Sequence, residues 1–363
     1  SHMMNRVRTH STLEALRPLF TGTFAPRERL ARARPMLDGT HPTTMAFAAA
    51  AREATRGNRG GFGMAVRSAA RLDGATIAEA QQYFGLFNPT RRRELSAWQF
   101  DALDDARIPE LVARQAAATL EVIDPNGGEP LDTWVFPADH AHAHSMLCLH
   151  GLEAWGDMPQ GIAVQVWPSP GTLNRLGPVV TRATALSVRS RTAWPTGRDP
   201  TLADHLVREG LAALAVSLRF PNLPRPWAAP FTPSPDWTEA LARVAAVANV
   251  ASYADFPVNI YGVVAPAGAP RMPAPTAFDD DDLTYARAVL RDDLGATDPT
   301  RIAGYLYGDV VVSMAGHPPV GMSTFAGIAA SHAIVSEAVM HRRIHLPAAL
   351  CLPTADLLDG AFG

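Results

Sequence analysis

The chain has 363 residues, of which 47% are hydrophobic and 18% charged, with a formal net charge of −3. That composition belongs to a folded protein with a sizeable core. It excludes a disordered chain and gives no general attraction to nucleic acid or anionic membrane. All 32 basic residues are arginine; without lysine there is no Schiff base to pyridoxal phosphate or a carbonyl substrate, no P-loop and no protein kinase.

Cys148 and Cys351 are the only cysteines. They are too few for a disulfide framework or a four-cysteine zinc site, and they fit a reducing compartment. Ser1-His2-Met3 reads as a cloning remnant ahead of Met4, and no secretory pattern follows. No run of about 18 apolar residues is present. The expectation is a cytoplasmic protein whose partner is a small-molecule substrate, with no nucleic acid and no membrane; the oligomeric state is not legible.

In chain order, the first third is expected to be helical. Residues 43–56 are alanine-rich, and GNRGGFG at 57–63 breaks that pattern. Helical stretches follow at about 63–72 and 76–84. Pro89-Thr90 opens another through Arg91-Arg92-Arg93, and Pro109 opens one that ends before the turn Asp124-Pro-Asn-Gly-Gly. From about 130 the texture changes to short apolar runs, expected as strands at 133–136, 146–149, 162–167, 178–188, 258–264 and 309–314. Helices are expected from 201 to 210 and onward, and over 237–250, 280–294, a short stretch after Asp298-Pro299, and 324–343. The mixture lacks a regular βαβ cadence, which points to an α+β fold: a helical N-terminal third packed on a mixed or antiparallel sheet with helices. The expected division is a helical subdomain at 11–125 and an α+β domain at 130–363, unless the two form a single domain. Residues 219–236 form a proline-rich stretch that suits a loop over a pocket.

The densest chemical signal is Asp139-His140-Ala-His142-Ala-His144-Ser-Met-Leu-Cys148-Leu-His150, which holds four of the 12 histidines. In an extended chain the even-numbered residues share one face; in a helix His140, His144 and Cys148 stack one turn apart. Neutral imidazoles so placed are ligands for iron, zinc or copper. His140, His142 and His144 are therefore candidate metal ligands. Histidines held by backbone carbonyls in a loop or strand end are the plain alternative.

His144-x-x-x-Cys148 also resembles the spacing by which a small group of bacterial haem-dependent aromatic hydroxylases tether haem through one thioether. The resemblance covers five residues and implies His144 and Cys148 as haem-binding. The C-x-x-C-H attachment is absent.

A second cluster runs from His332 through Glu337 and His341 to His345. On a helix, Glu337, His341 and His345 line one face, so Glu337 and His341 are further candidate ligands. An ordinary surface pair in a last helical turn explains the same residues. Asp279 to Asp282 resembles the aspartate-rich magnesium motif of terpene synthases, but Leu283 stands where another Asp is needed, and capping of a helix start is the better account. The Gly57–Gly63 run follows a helix and lacks the closing glycine of a nucleotide loop. Met146 to Gly151 resembles the strand and His-Gly turn of α/β-hydrolases, yet no G-x-S-x-G elbow exists.

These residues lead to an expected small-molecule enzyme with a histidine-ligated metal or haem, performing a redox step in specialised metabolism. Two alternatives stay open. One is a non-catalytic small-molecule-binding or accessory protein. The other is a cofactor-free isomerase or cyclase, in which His150 and Glu153 (or Asp157) are base and orienter.

Overall fold

The computed structural model describes residues 4–56, 87–89, 93–140, 151–168, 170–229, 278–309, 318–323 and 325–362. The expected helices at 63–72, 76–84 and 237–250, and the expected strands at 146–149 and 258–264, lie outside these residues. So do Thr90 to Arg92, the 230–236 part of the proline-rich stretch and, within the expected strand at 309–314, everything after Asp309. Asp309 itself is helical.

The architecture is α+β, with a four-stranded mixed sheet and twelve α-helices among the described residues. The strands are β1 (Val7–His10), β2 (Leu131–Pro137), β3 (Leu152–Met158) and β4 (Gly161–Val166), in spatial order β1-β2-β4-β3. β1–β2 and β2–β4 pair in parallel, and β3–β4 pair antiparallel. Every residue of β2 and β4 is buried, as central strands covered on both faces must be. β1 and β2 are joined by a long crossover that contains α1 (Thr12–Thr21), α2 (Pro26–Leu37), α3 (Pro42–Arg56), α4 (Arg93–Asp105) and α5 (Ile108–Ile123). The first strand therefore precedes the helical third and joins the sheet that follows it.

One face of the sheet is aromatic. Phe47 of α3 lies 5.8 Å from Trp134, 5.1 Å from Phe136 and 5.9 Å from Trp155, ring centre to ring centre. Phe87 continues the layer to Phe20 of α1, which also meets Phe100 of α4. Offset and edge-to-face rings pack densely and contribute beyond their area alone.

The other face receives α5 and the long α6 (Pro170–Thr192). Residues 178–188 were expected as a strand and are the middle of α6. The run is rich in Val and Thr and buried at all but Pro178 and Arg182, so periodicity alone could not separate the two. Of its hydroxyls, Thr184 donates within the helix to the Val180 carbonyl at 2.8 Å, while Ser187 donates to the Met158 carbonyl of β3 at 2.6 Å. α6 comes onto β3 at Gly156, where a Cβ would stand 1.8 Å from the Ala183 carbonyl oxygen. Beyond α6 lie α7 (Leu202–Arg219), α8 (Asp280–Arg291), α9 (Pro299–Tyr307), α10 (Ala326–His341), α11 (Leu346–Cys351) and α12 (Thr354–Leu357). α7 crosses α10 closely at Gly210, whose absent side chain leaves room for Val335. Asp279 caps α8, accepting from the Asp282 N–H at 2.8 Å, in a reciprocal capping box.

Arg189 of α6 fastens the C-terminal helices. Its guanidinium donates to the carbonyls of Ala349, Leu350 and Leu352 at 3.3, 3.0 and 2.5 Å.

Candidate functional site

β2 and β4 run in the same direction and β3 runs against them. The carboxyl ends of β2 and β4 and the amino end of β3 therefore share one edge of the sheet. The register fixes this: Phe136 stands beside Gln165, which stands beside Glu153, and Pro137 beside Val166, which stands beside Leu152. In sheets with parallel strands, the carboxyl ends are where ligands are usually received.

The chain closes this edge with hydrogen bonds. Ala138 N–H donates to the Val166 carbonyl at 3.0 Å, and Trp167 N–H to that of Gly151 at 2.7 Å. From α4, Gln99 Nε2 donates to the Ala138 carbonyl at 2.9 Å. Asp139 and His140 are buried just past β2, and the His140 ring meets Trp167 edge-on at 5.8 Å. Trp98 leans on the other side of Trp167 at 5.3 Å and is itself exposed. His140 and Gly151, which bracket the histidine-rich segment, both stand at this edge. His142, His144, Cys148 and His150 lie within 141–150, outside the described residues.

Glu153 is the chemically distinctive group here. Directly opposite it, Gln165 Nε2 donates to Glu153 Oε2 at 3.4 Å. Burial raises the carboxyl to about 7; a hydrogen bond from Trp155 and the charge of Arg182 pull it down, and the charge of Asp157 pushes it up. A carboxyl group with this value exchanges its proton near neutral pH. It stays partly accessible, so the proton has a way in.

A bulge follows. Trp155 pairs with Ala163 and Met158 with Gly161, so Gly156 and Asp157 together oppose Ile162. Beyond Gly156, α6, α7 and α9 place a layer of buried charge. Arg182 Nη2 donates to Glu209 Oε2 at 2.7 Å, and Tyr307 Oη donates to Glu209 Oε1 at 2.9 Å. Arg208, fully buried, reaches Asp157 Oδ1 at 3.4 Å and stacks over Trp194 at 3.9 Å. It also donates to His205 Nδ1 at 3.3 Å. Burial and the charge of Arg208 hold His205 well below its ordinary value, so the ring is neutral. Burial, then the charge of Glu209, keeps Tyr307 protonated well above its ordinary range. Burial would lower Arg182, but the negative charges of Glu209 and Asp157 and the bond to Glu209 outweigh it.

Glu337 and His341 occupy a different place. Glu337 is two-thirds exposed on α10 and pairs with Arg287 of α8 at 3.0 Å, and His341 is exposed at the end of the same helix. Among the described residues no three His, Cys, Asp or Glu side chains come together as a metal-holding group. His140, Glu337 and His341 therefore do not share a centre.

Sequence reasoning singled out Glu153 and Asp157 and missed Arg182, Arg208, Glu209 and Tyr307. The available signal was Arg208-Glu209 inside LADHLVREGLAALAVSLR, a charged pair flanked by Leu206-Val207 and the apolar run from Leu211; from Leu202 to Ala213 that helix is buried at almost every position.

No known family model, curated protein or solved structure matches this chain. Among the described residues no helix is long and apolar enough to cross a membrane.

Proposed function

We propose that the protein is a small-molecule enzyme in which Glu153 gives and takes a proton at the carboxyl end of the sheet. The observation that carries this reading is a partly accessible carboxyl raised to about 7, set at the edge where parallel strands end. General acid–base catalysis is most efficient when the group titrates near the working pH, and it contributes roughly 10²–10⁴-fold. The reaction class is an isomerisation or cyclisation that moves one proton, with His150 as a partner carried over from the sequence.

Compounds that raise the melting temperature in a thermal-shift screen supply the substrates to try. Each hit is incubated with enzyme in deuterated water and examined for exchange and rearrangement by NMR. Glu153→Gln is expected to lower turnover by about 10²–10⁴-fold while keeping the thermal shift, and the wild-type rate is expected to bend near pH 7. Turnover in Glu153→Gln at the wild-type rate refutes the proposal. Hits that bind and never react favour an accessory binding protein.

A second reading has its own observation: His140 is buried at the same edge, and the chain runs from it into His142, His144 and Cys148. On that reading these residues hold iron, zinc, copper or haem. Metal analysis and a visible spectrum of untagged protein test it. Stoichiometric metal or haem, lost in His142→Ala and His144→Ala, supports it; a colourless, metal-free and fully active protein ends it.

A further inference from the structure

We infer that Trp98 is the platform on which the substrate lies, and that the substrate is a flat aromatic or conjugated molecule. The inference rests on the reading of the carboxyl edge of the sheet as the place of reaction.

The register decides which side chains share a face. Phe136, Gln165 and Glu153 stand in one row across β2, β4 and β3, and Trp134, Ala163 and Trp155 in the row before it. Side chains of paired residues point to the same side, so Glu153 belongs to the aromatic face, where Phe47 of α3 packs on Phe136 and Trp155. β4 and β3 stay bonded one step past their last pair, through the Trp167 N–H and the Gly151 carbonyl. Trp167 is two residues beyond Gln165. It is therefore the diagonal neighbour of Glu153, at a backbone spacing of about 7–8 Å that aromatic and long side chains span. α4 lies over the same face, since its Phe100 meets Phe20 and the layer continues through Phe87 to Phe136. Trp98 reaches Trp167 from that helix.

Exposure separates Trp98 from its kind. It is 45% exposed, whereas the other described tryptophans are at most 8% exposed. A single exposed apolar residue elsewhere on a surface is ordinary. This one stands where the strands end, and it is held in place. Its ring lies 5.3 Å from that of Trp167 with the planes tilted by 39°, and Trp167 has His140 against it edge-on. The next residue, Gln99, donates to the carbonyls of Ala138 and Val166 at 2.9 and 3.4 Å, which pins α4 to the ends of β2 and β4. A fixed aromatic ring beside a few polar groups is the usual lining of a small-molecule site, and flat rings gain from stacking on it beyond the area they bury.

The chemistry of the edge asks for the same class of molecule. A carboxylate takes a proton from carbon when the electron pair left behind is spread over a conjugated system. In an isomerisation of this kind a C–H bond breaks, Glu153 takes the proton, the pair shifts along the conjugated system, and Glu153 returns the proton to another carbon. No oxidant or reductant enters.

The test uses full-length protein labelled with nitrogen-15 at the tryptophan indoles, with the Trp98 signal assigned by its loss in Trp98→Phe. Naphthol and its saturated counterpart decahydronaphthol are the probes, because they share a carbon skeleton and a hydroxyl and differ in flatness. Naphthol should shift the Trp98 signal and bind about three- to tenfold more tightly than decahydronaphthol. Trp98→Ser should lose that preference and Trp98→Phe keep most of it. Equal affinity of the two probes, binding by neither, or a preference that survives in folded Trp98→Ser overturns the platform. A preference that depends on Trp98, combined with undiminished turnover in Glu153→Gln, supports the platform and sinks the functional reading. Lost turnover in Glu153→Gln with no preference for the flat probe does the reverse.

Discussion

Glu153 on β3 and Glu337 on α10 carry the same side chain and meet opposite surroundings. Glu337 shares its charge with Arg287 in water, where solvent and salt screen both partners. Glu153 lies beside Gln165 on β3, and burial brings its ionisation into the neutral range. The lesson is that a carboxylate's chemistry belongs to the layer around it. On α10 the helix surface makes Glu337 an ordinary ion. On β3 burial raises the Glu153 carboxyl to about 7.

The sharpest way to break this comparison is to unbalance the buried layer. Arg208→Met should remove a fully buried cation that reaches Asp157 at 3.4 Å and cost about 3–5 kcal/mol in urea unfolding. A loss below about 1 kcal/mol would mean that the layer is well hydrated and the contrast with α10 is false.

Glu153→Gln is next in size. The folded value of Glu153 is raised, so its contribution to stability is full below its unfolded value and fades as pH rises through about 7. The variant no longer has to ionise. It should be more stable than the wild type by about 2–3 kcal/mol at pH 8.5, with no comparable gain at pH 4. A gain that does not depend on pH would separate Glu153 from the ionisation argued here.

Asp204 supplies a control of opposite sign. Burial opposes its ionisation, but bonds from Arg198, the Thr201 backbone and Thr354 bring it down to about 2. Its stabilisation is present above the unfolded carboxylate value and disappears as pH falls through about 2. Arg198 is largely exposed, so Asp204→Asn should cost only about 1 kcal/mol at pH 7, and less at pH 2.5 in the acid range of an unfolding titration.

The smallest effect belongs to the surface. Glu337→Gln should change stability by less than about 0.5 kcal/mol, and moderate salt should erase even that. A larger change, or a loss of bound metal in this variant, would show that α10 takes part in a site.

β3 and β4 show how far the sequence could be read. GIAVQV is an apolar run interrupted only by Gln165, and its strand was expected within a residue of where it lies. LEAWGDM carries Glu153, Gly156 and Asp157, which together hide a strand from any pattern of apolar residues. α6 failed in the other sense, because a Val- and Thr-rich run inside a helix looks like a strand when the surrounding core is unseen. The capping of α8 by Asp279 and the start of α5 at Pro109 were legible because local features decide them, a capping hydrogen bond in the first case and the fixed backbone angle of proline in the second.

By itself the sequence determined the α+β class, the absence of lysine chemistry, the helix starts, and a short list of residues with chemical potential that included Glu153 and Asp157. Those features depend on composition and on neighbours within a turn or two of chain. Only the tertiary structure decided which carboxylates are buried, that Arg182, Arg208, Glu209 and Tyr307 form a buried polar layer reaching Asp157, and that Glu337 turns outward. Those facts depend on electrostatics between residues up to about 150 positions apart, where the strength of each interaction is set by the water that folding removes.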